Sequence, residues 1–178
     1  MKKALFCLLV TVALIGLSCK TTQTQSGSGG GSGSPTVSGA RIDGAVTQDS
    51  VDAALTQIYN TYRSRLNMTG AQEYTVQRGD TLSEITRRFY GNLSGVGRAG
   101  TRNGLYFPIL MMASNQAIVD PDLIEPGMRL TIPDLQRNLG NADSRSAIKD
   151  CLNDVAYIYN RKGDAATERA LASLANSL

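Results

Sequence analysis

Few residues of this chain have side chains suited to catalysis or metal binding. Its 178 residues include no histidine, so a nucleophilic cysteine would lack its usual base. Three acids, Asp120, Asp122 and Glu125, lie close together in a loop that also contains proline. Calcium sites use about 6–8 oxygen ligands in patterns that this loop does not show. A glycosidase needs two carboxylates across a deep cleft, one of them buried. The acids are therefore expected to be solvated, and the sequence predicts no catalytic residues, no metal site and no cofactor.

The chain begins like an exported protein. Lys2 and Lys3 precede an apolar run over residues 4–17, which is short for a membrane span of roughly 20 residues. Cys19 follows, and the arrangement resembles a bacterial lipoprotein signal, in which that cysteine carries the lipid, including palmitate. The family usually has leucine three places before the cysteine, whereas this chain has Gly16. The alternatives are an ordinary signal peptide or an uncleaved anchor. We predict a signal peptide over residues 1–18 and lipidation of Cys19.

The segment after the cysteine is rich in glycine and serine. Residues 19–46 contain few apolar side chains and are predicted to form a disordered tether. A Gly/Ser coil of about 20 residues spans roughly 25 Å, enough to hold a folded head away from a membrane. Removing Lys2 and Lys3 takes the formal net charge from +3 to +1, because no acid precedes Cys19. Such a head has no basic footprint for nucleic acid.

Apolar residues at helical spacing predict helices on both sides of the centre. One set runs from Val51 to Leu66 and predicts a helix within residues 47–69. A second set runs from Ile148 to Tyr159. Gly163 and Asp164 then suit a helix end and the N-cap of another helix, so residues 143–178 are predicted to form a helical hairpin. Cys151 lies on the apolar face, as a core thiol would.

The central sequence changes from strand to helix at one turn. YTVQRGDTLSEI, residues 74–85, alternates like a strand up to Gly79 and then shows helical spacing. Gly79 permits the reversal, and Asp80 or Thr81 can cap the helix. A second helix is predicted from about Pro108. A Pro126-Gly127 turn then leads into a closing strand. The order strand, helix, helix, strand predicts an α+β unit with two antiparallel strands.

These two halves closely resemble the beginning and the end of a LysM domain. The first half is YTVQRGDTLSEI, and the second is DPDLIEPGMRLTIP over residues 120–133. The resemblance covers residues 74–135 and predicts a βααβ fold. It departs from the family in a long, glycine-rich insertion at residues 92–106, which we expect to loop out of the core.

The resemblance implies a function in glycan binding. LysM domains bind N-acetylglucosamine-containing glycans, including peptidoglycan, in a shallow groove between the strand-to-helix turn and the loop before the last strand. Carried over to this chain, the candidate ligand-binding residues are Gly79, Asp80, Thr81, Leu82, Asn115, Ile118, Asp120, Pro121 and Ile124. The alternative reading is that Asp80 and Thr81 only cap a helix and that Leu82 and Ile124 belong to the core.

Two functions of different class follow from this sequence. The first is a non-catalytic, peptidoglycan-binding lipoprotein of the bacterial cell envelope, which faces the periplasm or cell wall and links membrane to wall. The second is an envelope interaction module, in which the LysM fold is a scaffold and the flanking helices recruit a protein partner. We expect the flanking helices to pack together into a small bundle around Tyr62, Leu152, Val155 and Leu171, with Cys151 alongside. Deletion of residues 47–66 should then destabilise the protein.

Overall fold

The computed structural model describes residues 37–91, 103–114 and 118–178. The fold is α+β, as predicted. In chain order, the elements are α1 (Gln48–Arg63), β1 (Gln72–Thr75), α2 (Leu82–Tyr90), a 3-10 turn (Asn103–Tyr106), α3 (Phe107–Ser114), β2 (Arg129–Ile132), α4 (Leu135–Gly140), α5 (Ala142–Arg161) and α6 (Ala165–Asn176). Across these described ranges, no helix is both long enough and apolar enough to cross a lipid bilayer.

The two strands form the predicted antiparallel pair. Gln72 lies opposite Ile132, and Thr75 lies opposite Arg129. The pairing continues beyond β1, because the Val76 amide donates to the Met128 carbonyl at 2.8 Å. Gly127, with φ of 94°, provides the predicted turn before β2. The sheet thus brings the end of β1 beside the start of β2, where the turn into α2 meets the loop that precedes β2.

The second helix of the central unit is buried on every side. All eight residues of α3 are buried, and the helix contacts α1, α2, β2 and α5. A helix that is apolar all round requires neighbours all round. The expected bundle of flanking helices is therefore not separate. It shares one core with the central unit, and Tyr62, Cys151, Leu152, Val155 and Leu171 are buried in it as predicted. Within the bundle, α5 contacts both α1 and α6.

The end of the predicted insertion does not loop out. Residues 92–102 lie outside the described residues, but residues 103–106 form a 3-10 turn against α2. The Asn103 side chain donates to the Tyr90 carbonyl at 2.7 Å, which satisfies a group at the end of α2. A Cβ on Gly104 would lie 3.2 Å from the Ser83 carbonyl oxygen, so glycine permits this close approach. The expectation was wrong for these four residues.

The folded part begins earlier than the predicted end of the tether at residue 46. Ala40 and Ile42 are buried in the core. The amides of Val37 and Ser38 donate to the buried Asp154 carboxylate at 2.9 and 2.8 Å. Only two apolar side chains are involved, which is too short a pattern to detect in a polar stretch. Residues 19–36 and Cys19 lie outside the described residues.

A short helix between the sheet and the C-terminal hairpin was missed by the sequence analysis. The side chain of Asp134 caps α4 by accepting from the Arg137 amide at 3.0 Å. Buried Asn138 accepts from the Asn67 amide and donates to the Asn67 carbonyl, both at 2.8 Å. This pairing holds the connection between α1 and β1 against α4. The predicted hairpin follows as α5 and α6, with Gly163 at φ of 83° and Asp164 as N-cap.

Candidate functional site

An open groove of about 250 Å³ lies beside the strand-to-helix turn. The turn, the loop before β2, the start of α3 and the end of α5 all contribute to it. Its lining residues are Asp80, Thr81, Leu82, Ser83, Phe107, Pro121, Asp122, Ile124 and Tyr159.

Five of the nine predicted site residues line this groove: Asp80, Thr81, Leu82, Pro121 and Ile124. Gly79, Ile118 and Asp120 do not line it, and Asn115 lies outside the described residues. The lining residues that the sequence analysis did not place there are Ser83, Phe107, Asp122 and Tyr159.

The first wall is the turn that ends β1, and Asp80 holds it together. Its carboxylate accepts from the Tyr74 hydroxyl, from the Gln77 amide at 2.8 Å and from the Arg88 guanidinium at 3.0 Å. The Tyr74 hydrogen bond, followed by that from the Gln77 amide, lowers the pKa of Asp80 below its usual value. A carboxylate with these donors is already satisfied. Asp80 therefore stabilises the turn rather than capping α2.

Thr81 provides the helix cap. Its hydroxyl oxygen accepts from the Glu84 amide at 3.2 Å and its hydroxyl donates to the Glu84 carboxylate at 3.1 Å. Leu82 is 3% exposed, so it is a core residue that also reaches the groove. Gly79 has φ of 90°, and a Cβ there would meet no atom within 4 Å. The backbone conformation of the turn, rather than space for a ligand, accounts for this glycine.

The second wall is the loop over residues 118–125, which is held from within. Ile118 is 2% exposed and belongs to the core. The buried Asp120 carboxylate accepts from the Gln48 side chain at 2.6 Å and from the Asp122 amide at 2.8 Å. Asp120 thus joins the loop to the start of α1. These two predicted residues position the wall, while Pro121 and half-buried Ile124 line it.

A third wall comes from α5, outside the strand-helix-helix-strand unit. The Tyr159 ring packs edge-on against Phe107, with centroids 6.1 Å apart. Its hydroxyl donates to the Asp122 carboxylate at 3.3 Å. Burial raises the pKa of Tyr159, so the hydroxyl stays protonated at neutral pH. Lys162 also donates to Asp122 at 2.6 Å and lies 5.0 Å from the Tyr159 ring centroid.

The groove offers hydrogen-bonding groups and apolar side chains. In the described part of the chain, no group of three or more His, Cys, Asp or Glu side chains is arranged to hold a metal ion. Cys151 is buried, and burial raises the pKa of its thiol, which disfavours the reactive thiolate. The groove combines hydroxyls, backbone groups and apolar side chains, a mixture suited to a polar ligand with apolar faces.

A comparison with protein families decides the nature of the central unit. Residues 74–133 match the family model for the LysM domain. This segment is a LysM domain. The match confirms the resemblance from which residues 74–135 were assigned, and the βααβ order of the structure agrees with it. LysM domains bind N-acetylglucosamine-containing glycans of the peptidoglycan or chitin type.

Two curated relatives share similarity with part of the chain. Esterase MT1326 of Mycobacterium tuberculosis (strain CDC 1551 / Oshkosh) is 38% identical over 73 residues, which cover 41% of this chain. Esterase Rv1288 of Mycobacterium tuberculosis (strain ATCC 25618 / H37Rv) gives the same values. The chain spans about 13% of the length of either relative. No solved structure matches this chain.

The LysM match explains which site residues the sequence could indicate. Asp80, Thr81 and Ile124 lie within residues 74–133, where the family pattern applies. Tyr159 lies beyond the matched segment, and Phe107 lies within it but was not among the motif residues that indicated the site. Tyr159 also has the spacing of a core residue, and it is 7% exposed. Its place in the groove depends on how α5 packs against the LysM domain.

Proposed function

We propose that this chain binds N-acetylglucosamine-containing glycan strands of the peptidoglycan type in the groove of its LysM domain. The observation that carries the proposal is the meeting of the turn and the loop of the domain at one open groove. Its backbone groups can pair with acetamido and hydroxyl groups of a sugar, and the Thr81 hydroxyl oxygen keeps one acceptor position for such a group. Leu82 and Ile124 supply apolar contacts for an acetyl methyl group.

We further propose that binding is non-catalytic and that the chain is a lipoprotein of the cell envelope. The matched domain is a binding domain. The apolar run over residues 4–17, Cys19 and the Gly/Ser-rich stretch after it support a lipid anchor followed by a tether. In this arrangement the chain links a membrane to the glycan of the wall.

Ile124 provides the direct test of glycan binding. An Ile124→Asp variant places a charge where an apolar contact to the sugar is expected. Binding to purified insoluble peptidoglycan should fall roughly tenfold, a factor that corresponds to about 1.4 kcal/mol. The measurement is a sedimentation binding curve with the full chain, and circular dichroism checks that the variant is folded.

Leu123→Asp is the matched control for this test. Leu123 is adjacent to Ile124, is 59% exposed and does not line the groove. Its substitution should leave binding unchanged. A wild-type chain that does not sediment with peptidoglycan, or equal binding by the two variants, would refute the proposal. A double Asp80→Ala, Thr81→Ala variant is a weaker test, because it removes the turn and the helix cap together.

The structure gives less support to the alternative of a protein-recruiting module. That alternative relied on the large share of the folded chain that lies outside the LysM domain and would be available to a partner. The apolar residues of α1 and α5 are instead buried in the core that these helices share with the LysM domain. These apolar side chains therefore contact other residues of the same chain.

A further inference from the structure

One side of the groove is built by a helix that the LysM domain does not include. Tyr159, near the end of α5, lines the groove together with the turn and loop residues. Phe107, at the start of α3, lines it next to Tyr159. The C-terminal hairpin therefore contributes aromatic surface to a site that the family motif alone does not specify.

Contacts on several sides hold the Tyr159 ring. Phe107 packs against it at an interplanar angle of 77°, and the Tyr159 hydroxyl donates to Asp122. Lys162 contacts the ring and joins Asp122 as well. A rigid aromatic side chain offers contact area at a low cost in conformational entropy. Tyr159 is 7% exposed and Lys162 lies over its ring, so the part of the ring that reaches the groove is suited to an acetyl methyl group.

The charged groups near the groove already have partners. Asp80 pairs with Arg88, and Asp122 pairs with Lys162. The described lining residues include two carboxylates but neither lysine nor arginine. An anionic ligand group would therefore meet carboxylates without a compensating cation from these residues. The groove favours an uncharged ligand.

We propose that Tyr159 is a ligand-contacting residue and that the C-terminal hairpin forms part of the glycan site. The ligand class is an uncharged chain of N-acetylhexosamine units. Lys162 acts as a positioning residue, because it joins Asp122 of the loop to the end of α5. This inference rests on the proposed glycan binding and extends it beyond residues 74–133.

The test measures binding of soluble N-acetylglucosamine oligomers to the purified full chain by titration calorimetry. Tyr159→Leu removes the aromatic ring from this wall of the groove, including the part that contacts the ligand, and should weaken binding roughly tenfold. Tyr159→Phe keeps the ring, loses only the hydroxyl and should bind within a few-fold of the wild type. Tyr157→Leu and Tyr157→Phe are matched controls on the same helix, since Tyr157 does not line the groove. Both should bind like the wild type.

A second measurement separates ligand contact from a purely structural role. In the wild-type chain, the acetyl methyl protons of the oligomer should show a nuclear Overhauser effect to the Tyr159 ring protons. This readout remains decisive if Tyr159→Leu does not fold. The inference would be overturned if the wild type bound the oligomer without this effect. It would also be overturned if a folded Tyr159→Leu variant kept full affinity. Either result would leave the proposed function intact. A wild-type chain that binds neither oligomers nor peptidoglycan would overturn both.

Discussion

Single residues at the groove divide into those that can touch a ligand and those that hold the walls. The Asp80 carboxylate is engaged by Tyr74, Gln77 and Arg88. Asp120 is engaged by Gln48 and by the loop backbone. Both positions fit the family motif, but their carboxylates are hydrogen-bonded to other groups of the protein. The ligand is left with hydroxyl, backbone and apolar groups.

The acid sensitivity of the fold provides a prediction at this scale. The pKa of Asp80 is lowered, chiefly by the Tyr74 hydrogen bond. Asp80 therefore contributes stability above the unfolded carboxyl pKa of about 3.9, and this contribution is lost as the pH falls through the lower folded value. An Asp80→Asn variant should melt below the wild type at pH 7, and the difference should shrink in acid. Thermal melts across this pH range measure both effects.

Asp164→Asn is a useful comparison for that experiment. Asp164 also has a lowered pKa, first because of the Thr167 side chain, but it caps α6. Asparagine is a good N-cap residue, so this variant should lose less stability at pH 7. A difference between Asp80→Asn and the wild type that stays constant from pH 7 into acid would contradict the assigned role of Asp80.

At the scale of elements, local signals predicted the turns and long-range contacts decided the rest. Gly79, Thr81 and Gly127 fix turn and cap geometry within a few residues, and the structure confirms these features. Other features depend on partners far apart in sequence. Val37 meets Asp154, Asn67 meets Asn138, and Tyr159 meets Asp122. Neither periodicity nor a family motif contains that information, so the early start of the fold, α4 and the third wall were missed.

The buried α3 leads to a prediction about the isolated LysM domain. A fragment of residues 74–135 lacks α1 and α5, which cover α3 in the full chain. Buried residues such as Ile109 and Met112 would lose part of that cover. Exposing such apolar surface to water lowers the free energy of unfolding by about 25 cal/mol per Å². The fragment should show a weak, poorly cooperative thermal transition by circular dichroism, whereas the full chain should melt cooperatively. A fragment that melts as sharply and as high as the full chain would show that the LysM domain does not need the flanking helices.

Deletion of residues 47–66 should have a related effect. The sequence predicted that loss of the first flanking helix would uncover the C-terminal hairpin. In the structure, α1 contacts α3 as well as α5. The deletion should therefore lower the stability of the LysM domain together with that of the hairpin.

At the scale of the whole molecule, the proposed lipid anchor would set where the glycan site operates. A Cys19→Ser variant should move the protein from the membrane fraction to the soluble envelope fraction of fractionated cells. Its affinity for peptidoglycan in solution should stay unchanged, because the described residues that line the groove run from Asp80 to Tyr159. Membrane retention of the variant at the wild-type level would refute lipidation at this residue.

The way in which the chain enters the fold also determines where a pulling force would act. From its amino-terminal side, the described chain first contacts Asp154 through the Val37 amide. It next contacts the Tyr157 hydroxyl. It then reaches Arg161, which donates to the Gly44 carbonyl at 2.9 Å. Arg161 lies seven positions after Asp154, a distance of about 10 Å along α5. Tension from a tether would load the amide–carboxylate bonds at Asp154 before it reached the end of α5 that carries Tyr159. Residues 37–44 would then detach from α5 before the force deformed the groove.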